Sequence, residues 1–303
     1  MMEQTDFRGI LSAFCPMILV KYQEPMASHS SFRIGGPAQA MAFPKDEGEL
    51  STLLALAAKE GWPVRILGAG TNVLAPDEGL AGLTICLKDC LDGMKLVNDR
   101  EIEVMAGVTM TRAAVFAAKN GLSGLEFAHG IPGTVGGGVY MNAGAYGGEI
   151  RQVCSRVTVL SRTGEKKILS NAEMSFSYRH SVLEDTGDIV LSARFTLTPD
   201  AESAIRERMK ELMAKRSASQ PLDMPSAGSA FKRPVGGYAA ALIDGAGLKG
   251  FAVGGAAIST KHAGFAVNLG GATAADVRGL LRQVSDRVFA QTGIRLEPEV
   301  RIW

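Results

Sequence analysis

The segment Gly130–Gly148 constrains this chain more than any other. Eight of its nineteen residues are glycine. It reads Gly130-Ile131-Pro132-Gly133-Thr134-Val135-Gly136-Gly137-Gly138, then, after Val139 and Tyr140, Met141-Asn142-Ala143-Gly144-Ala145-Tyr146-Gly147-Gly148. A stretch so poor in side chains leaves backbone amides as its main functional groups. Pro132, Asn142 and Tyr146 among the glycines argue for fixed turns rather than a flexible linker. With almost no helical period, the segment reads as a loop able to wrap a flat, many-acceptor ligand such as a dinucleotide.

Glycine supplies 36 of 303 residues, about 12% against a usual ~7%, clustered at 68–70, 130–148, 236–255 and 270–271. A second cluster, Ile66-Leu67-Gly68-Ala69-Gly70-Thr71-Asn72-Val73-Leu74, runs from a strand into a glycine turn that can aim backbone N–H groups at phosphate oxygens. No lysine follows its second glycine, so it is not a P-loop. Val73 takes the third glycine position of a dinucleotide fingerprint, so it is not that either. Net charge is +1, from 32 basic and 31 acidic residues; no bulk field draws nucleic acid or an acidic membrane surface. Cys15, Cys86, Cys90 and Cys154 lie in no metal-ligand spacing and read as reduced, structural thiols. The apolar stretch Ile10–Val20 follows Glu3 and Asp6, is broken by Pro16 and is too short to span a bilayer. The expected location is therefore cytoplasmic, with no nucleic-acid or membrane partner.

Hydrophobic periodicity predicts strands at Ala40–Phe43, Val64–Leu67, Leu83–Leu87, Glu101–Met105 and Ile189–Leu197, and a hairpin from Val153–Ser161 and Lys166–Ser170. Helices are expected at Asp46–Glu60, Thr109–Asn120 and Ala201–Arg216, and at Ala274–Thr292 with the stripe Val277, Leu280, Leu281, Val284 and Val288. Pro199 marks a boundary. The expected class is α+β, divided into residues 1–88, 89–199 and 200–303.

Eight segments, taken in order, resemble the UDP-N-acetylenolpyruvoylglucosamine reductase family, flavin enzymes that make UDP-N-acetylmuramic acid for peptidoglycan. They are Ser31–Ala38, Leu67–Leu74, Gly130–Gly148, Ser177-Tyr178-Arg179, Gly228–Lys232, Leu242–Gly250, Ser259–Phe265 and Glu299-Val300-Arg301. The short passage from Arg179 to Ile189 resembles the family's type II branch. The resemblance implies a two-part FAD-binding module of the vanillyl-alcohol-oxidase type (1–88 and 89–199) followed by a substrate-binding domain (200–303). The matches depart from the family in three places: Thr71 stands where serine is common, Gly138 where alanine is common, and Arg233 where asparagine often sits.

The implied cofactors are FAD and NADPH, and the implied substrate is a UDP-sugar enolpyruvyl ether. Hydride would pass from NADPH to the flavin, then to the substrate's terminal vinyl carbon. By resemblance the catalytic residues are Arg179, gripping the substrate carboxylate; Glu299, a second group on the same oxygens, which requires a raised pKa; and Ser229, proton donor to the neighbouring carbon, with Lys232 supplying nearby positive charge. FAD would be held by Arg33, Gly68, Ala69, Gly70, Thr71, Asn72, Val73, Leu74, Gly130, Ile131, Pro132, Gly133, Thr134, Gly136, Gly137, Asn142, Gly144 and Ala145. Substrate would be held by Tyr146, Arg179, Lys232, Arg233, Lys261 and His262. His129 and His180 read as ordinary polar contacts. A monomer or weak dimer is expected. The alternatives are another oxidase or dehydrogenase sharing the flavin module, and a nucleotide-binding module without catalysis.

Overall fold

The computed structural model describes residues 7–303; Glu3 and Asp6 lie outside the described residues. The chain gathers into two compact units. Among the described residues the first comprises 7–24, 38–69 and 81–213, and the second 25–37, 70–80 and 214–303. Both expected flavin-binding parts contribute mainly to the first unit, while two short stretches from the N-terminal third belong with the C-terminal third.

Two sheets build the first unit. The smaller holds the strands Leu19–Pro25, Pro37–Phe43, Leu80–Cys86 and Val64–Leu67 in that spatial order. Its last two pair in parallel, Val64 opposite Leu83 and Leu67 opposite Cys86, a geometry that needs a crossover connection. The helix Glu47–Glu60 precedes them. Asp46 caps its start by accepting from the Glu49 amide, and Gly61 ends it in the left-handed region at φ 68°.

The larger sheet is antiparallel, ordered Lys166–Ser170, Cys154–Leu160, Ile189–Thr196, Glu101–Met105 and Met94–Asn98. The hairpin at residues 154–170 forms as the turn Arg162-Thr163-Gly164-Glu165 requires. The helix Met110–Lys119, capped by Thr109, buries Ala113, Ala114, Ala117 and Ala118. Burial pushes the Cys154 thiol up to about 12, which keeps it protonated and inert. The cysteines at 15, 86, 90 and 154 are all free.

In the second unit the strands Ser226–Ser229, Phe265–Asn268, Ala256–Ile258 and Ala252–Val253 form an antiparallel sheet. The helix Ala274–Thr292 has the bounds its apolar period predicts, and all five stripe residues are buried. The early stretches join this unit through specific bonds. Asp77 accepts from the Ala274 amide at 2.6 Å and the Ala275 amide at 3.0 Å, supplementing the Thr273 cap. Ser31 Oγ donates to the Ser226 carbonyl at 2.6 Å, and Asn268 Nδ2 to the Phe32 carbonyl at 3.0 Å. No helix among the described residues is long and apolar enough to cross a membrane.

Candidate functional site

In the first unit the glycine segment is anchored, and part of it is helical. The reading of Gly130–Gly148 as non-helical is corrected at Val135–Tyr140, a six-residue α-helix whose start Thr134 caps through the Gly137 amide. Glycine hides such a helix because it contributes no apolar period. Thr109 and Thr134 form an isolated bridge, so the caps of two successive helices lie side by side. The Val135 amide donates to the Val108 carbonyl at 2.8 Å and the Gly136 amide to the Ala106 carbonyl at 2.9 Å.

Gly68, at the end of the strand Val64–Leu67, comes against this segment. A Cβ at 68 would sit 2.6 Å from Thr134 Oγ1. The two glycine clusters singled out in the sequence therefore meet within one unit. Gly137 faces open space, where a Cβ would meet only Thr134 Oγ1 at 3.6 Å. Nδ1 of His129, at the head of the segment, is buried and lacks a protein partner. Bare backbone at Gly137 suits a bound polar cofactor such as FAD. Ile131 packs against the core of this unit, and Gly133 takes φ +142°, a conformation open to glycine.

Among the described residues seven non-glycines have positive φ, and four of them are expected site residues: Arg33 at 56°, Asn142 at 42°, Tyr146 at 54° and Arg179 at 57°. Such conformations cost energy and cluster where surrounding structure fixes them for a purpose. Asn142 is fully buried. Its Nδ2 donates to Glu149 Oε2 at 3.0 Å and the Ser177 carbonyl at 2.9 Å, and its Oδ1 accepts from the Arg151 amide at 2.9 Å. Its side chain thus ties three neighbouring segments of chain together. Tyr146 and Gly147 form the turn of a minute hairpin, Gly144–Ala145 with Gly148–Glu149, leaving Tyr146 exposed. Arg179 lies at the corner of a tight turn closed by the Ser177–His180 bridge. Its Nη2 donates to the Gly144 carbonyl at 3.3 Å, which brings the guanidinium to the glycine segment.

The second unit holds the other two expected catalytic residues. Ser229 ends its strand opposite Phe265, after an irregularity that Gly228 permits at φ +77°. The Ala230 amide donates to the Gly264 carbonyl at 2.8 Å, and the Glu299 amide to the Ala230 carbonyl at 2.9 Å. Phe231 bridges Pro298, and the Lys232 amide donates to the Glu297 carbonyl at 2.9 Å. Ser229 and Glu299 are thus carried on paired backbone although 70 residues separate them.

Asn72, another expected cofactor residue, donates from Nδ2 to the Glu299 carbonyl at 3.2 Å and accepts at its own carbonyl from the Arg301 amide at 3.0 Å. Val73 and Leu74 pair in parallel with Arg301 and Ile302, and Leu74 is fully buried. Gly70 binds the Ser31 amide through its carbonyl at 3.0 Å, and the exposed Arg33 donates its amide to the Ser30 carbonyl.

Lys232 makes an exposed ion pair with Glu297 at 3.6 Å. Arg233 lies over the Tyr238 ring, 4.3 Å from its centroid. Lys261 Nζ donates to the Ser217 carbonyl at 2.7 Å. Burial lowers the His262 pKa; its Nδ1 accepts from the Gly264 amide at 3.0 Å, and its ring meets Phe265 edge-on. Glu149 and Arg151, which support Asn142, carry no signal in the sequence, because their bonds to it follow no helical or strand period.

Comparison with known proteins assigns both regions. Residues 38–170 match the model of the FAD binding domain, and residues 220–303 that of the UDP-N-acetylenolpyruvoylglucosamine reductase C-terminal domain. The UDP-N-acetylenolpyruvoylglucosamine reductase of Agathobacter rectalis is 46% identical over 99% of both chains. That of Lactobacillus helveticus is 47% identical over 94% of this chain and 95% of its own. The crystal structure of the Thermus caldophilus reductase aligns with TM-score 0.79 and 35% identity, covering 95% of this chain and all of that one. An alkyldihydroxyacetonephosphate synthase, at 15% identity and TM-score 0.50 over 64% of this chain, shares the fold. The chain belongs to the UDP-N-acetylenolpyruvoylglucosamine reductase family.

Proposed function

We propose that this chain reduces UDP-N-acetylglucosamine enolpyruvate to UDP-N-acetylmuramic acid with FAD and NADPH, and that Arg179, Ser229 and Glu299 carry the chemistry. The observation that carries the assignment is the backbone pairing that seats Ser229 beside Glu299. Bound FAD supplies a hydride carrier between NADPH and the terminal vinyl carbon. Gly68, Ala69, Gly130, Gly133, Thr134, Gly136 and Gly137 would hold it in the first unit, chiefly through backbone.

Hydride arriving at the terminal carbon drives negative charge onto the substrate carboxylate. Arg179 stabilises that charge through parallel hydrogen bonds from a group that stays cationic. Glu299 is the second group on the same oxygens. Ser229 Oγ gives its proton to the carbon next to the carboxylate, completing the addition of one hydride and one proton across the double bond. A positioned donor to developing charge is worth about 3–4 kcal/mol. Tyr146, Lys232, Arg233, Lys261 and His262 form the proposed substrate contacts. Lys232, whose ammonium makes an exposed pair with Glu297, is the proposed source of positive charge near Ser229.

We place the reaction in the cytoplasm and the enzyme as a monomer or weak dimer, which light scattering across a concentration series measures. The functional test is spectroscopic. Anaerobic NADPH should bleach the flavin, and UDP-N-acetylglucosamine enolpyruvate should then restore its colour. Bleaching without return would reject the proposed substrate.

A further inference from the structure

Arg179 holds a left-handed backbone conformation, at φ +57°, which persists in a non-glycine residue only where its surroundings fix it. The loop that carries it is closed at its base, where the Val182 amide donates to the Met174 carbonyl at 2.9 Å. Within that loop the chain is pinned on either side of the arginine. Before it, the Ser177 carbonyl accepts from Asn142 Nδ2 at 2.9 Å. After it, Ser181 Oγ donates to the Tyr140 carbonyl at 2.8 Å. Asn142 and Ser181 are both fully buried.

Both pins come from the end of one helix. Tyr140 is the last residue of the helix Val135–Tyr140, where carbonyls run out of intrahelical donors, and Ser181 supplies a donor from outside. Asn142 follows directly after the helix cap, Met141. The tip of the arginine refers to the same anchor. Arg179 Nη2 donates to the Gly144 carbonyl, Gly144 pairs with Glu149, and the Glu149 carboxylate accepts from Asn142. Backbone and guanidinium of Arg179 are thus both tied to residues 140–149.

We infer that Ser181 is a positioning residue for the reaction, acting through Arg179. Its buried hydrogen bond to the end of the glycine helix holds the turn in the geometry that two parallel hydrogen bonds to the substrate carboxylate require. This rests on the role given to Arg179 above. One short helix then carries the proposed flavin cradle at its start, with Gly136 and Gly137, and the arginine turn at its end.

The test is a double-mutant cycle of Ser181→Ala with Arg179→Ala in the FAD-loaded enzyme, read by anaerobic stopped-flow on the flavin colour. A misplacement of about 1 Å can cost ~10²-fold in rate. Ser181→Ala should therefore slow the substrate-dependent return of colour about tenfold to hundredfold, and leave bleaching by NADPH near its native rate. In the Arg179→Ala background the same substitution should slow the return little further, because nothing is left to position. Ser181→Cys, which keeps a weak donor of similar shape, should recover part of the rate. It takes the place of Ser181→Ala in the cycle should the alanine variant not fold. Undiminished return in Ser181→Ala, equal slowing of both half-reactions, or full additivity with Arg179→Ala would each overturn the proposal. Native-rate return in Arg179→Ala alone would instead reject the reading of Arg179 itself.

Discussion

The glycines of residues 130–148 and those of residues 228–247 look alike in composition and do different work. In the first region four of the eight glycines make room for protein. A Cβ would lie 3.0 Å from Ala106 Cβ at Gly136, 2.8 Å from Met110 Sδ at Gly138, 2.7 Å from Glu149 Cβ at Gly144 and 2.6 Å from the Phe127 ring at Gly148. In the second region none of the five glycines (228, 236, 237, 245 and 247) would bring a Cβ within 4 Å of anything. Three of those, Gly228, Gly236 and Gly247, are there for positive φ. Glycine is thus largely a packing device in residues 130–148 and an open-turn device in residues 228–247. Only the first holds backbone at fixed close range, as a cofactor cradle requires.

Substitutions can break this contrast, starting with the keystone of the packed region. Asn142→Ala would strip hydrogen bonds from Glu149, the Ser177 carbonyl and the Arg151 amide at once. It should cost about 3–5 kcal/mol in denaturant unfolding and loosen the turn that carries Arg179. Gly148→Ala drives a methyl into buried Phe127 and should cost about 1–3 kcal/mol. Gly138→Ala meets only the flexible end of Met110 and should cost less than about 1 kcal/mol, as the family's frequent alanine there implies. In the open region Gly247→Ala should cost about 1–2 kcal/mol from its φ of +70° alone. Gly245→Ala, at the end of the helix Ala239–Gly245 and free of contacts, should be neutral or stabilising by up to about 1 kcal/mol. Equal losses at 148 and 245 would erase the distinction.

The sequence made legible what side-chain periodicity encodes. The helix Ala274–Thr292 announces itself because five apolar residues recur at helical spacing and a threonine and a glycine bracket them. The helix Val135–Tyr140 could not be read, since a run of glycines has no face. The strand Met94–Asn98 escaped too, because its largely exposed residues show no alternation. Motif residues stand out in the sequence as a set, and their individual duties depend on long-range partners. Asn72 looks like a polar ligand in a glycine turn, and only the fold reveals that it holds the Glu299 backbone, 227 residues away. Lys232 is three residues from Ser229 in sequence, and only the fold reveals its exposed ion pair with Glu297.

The most direct test of the catalytic assignment is the anaerobic stopped-flow comparison of Ser229→Ala with the native enzyme. NADPH should bleach the variant's flavin at a near-native rate, because that half-reaction uses no proton from Ser229. Substrate-dependent return of the flavin colour should slow by about 10²–10⁴-fold. Equal slowing of both half-reactions, or an undiminished second one, would contradict the role given to Ser229.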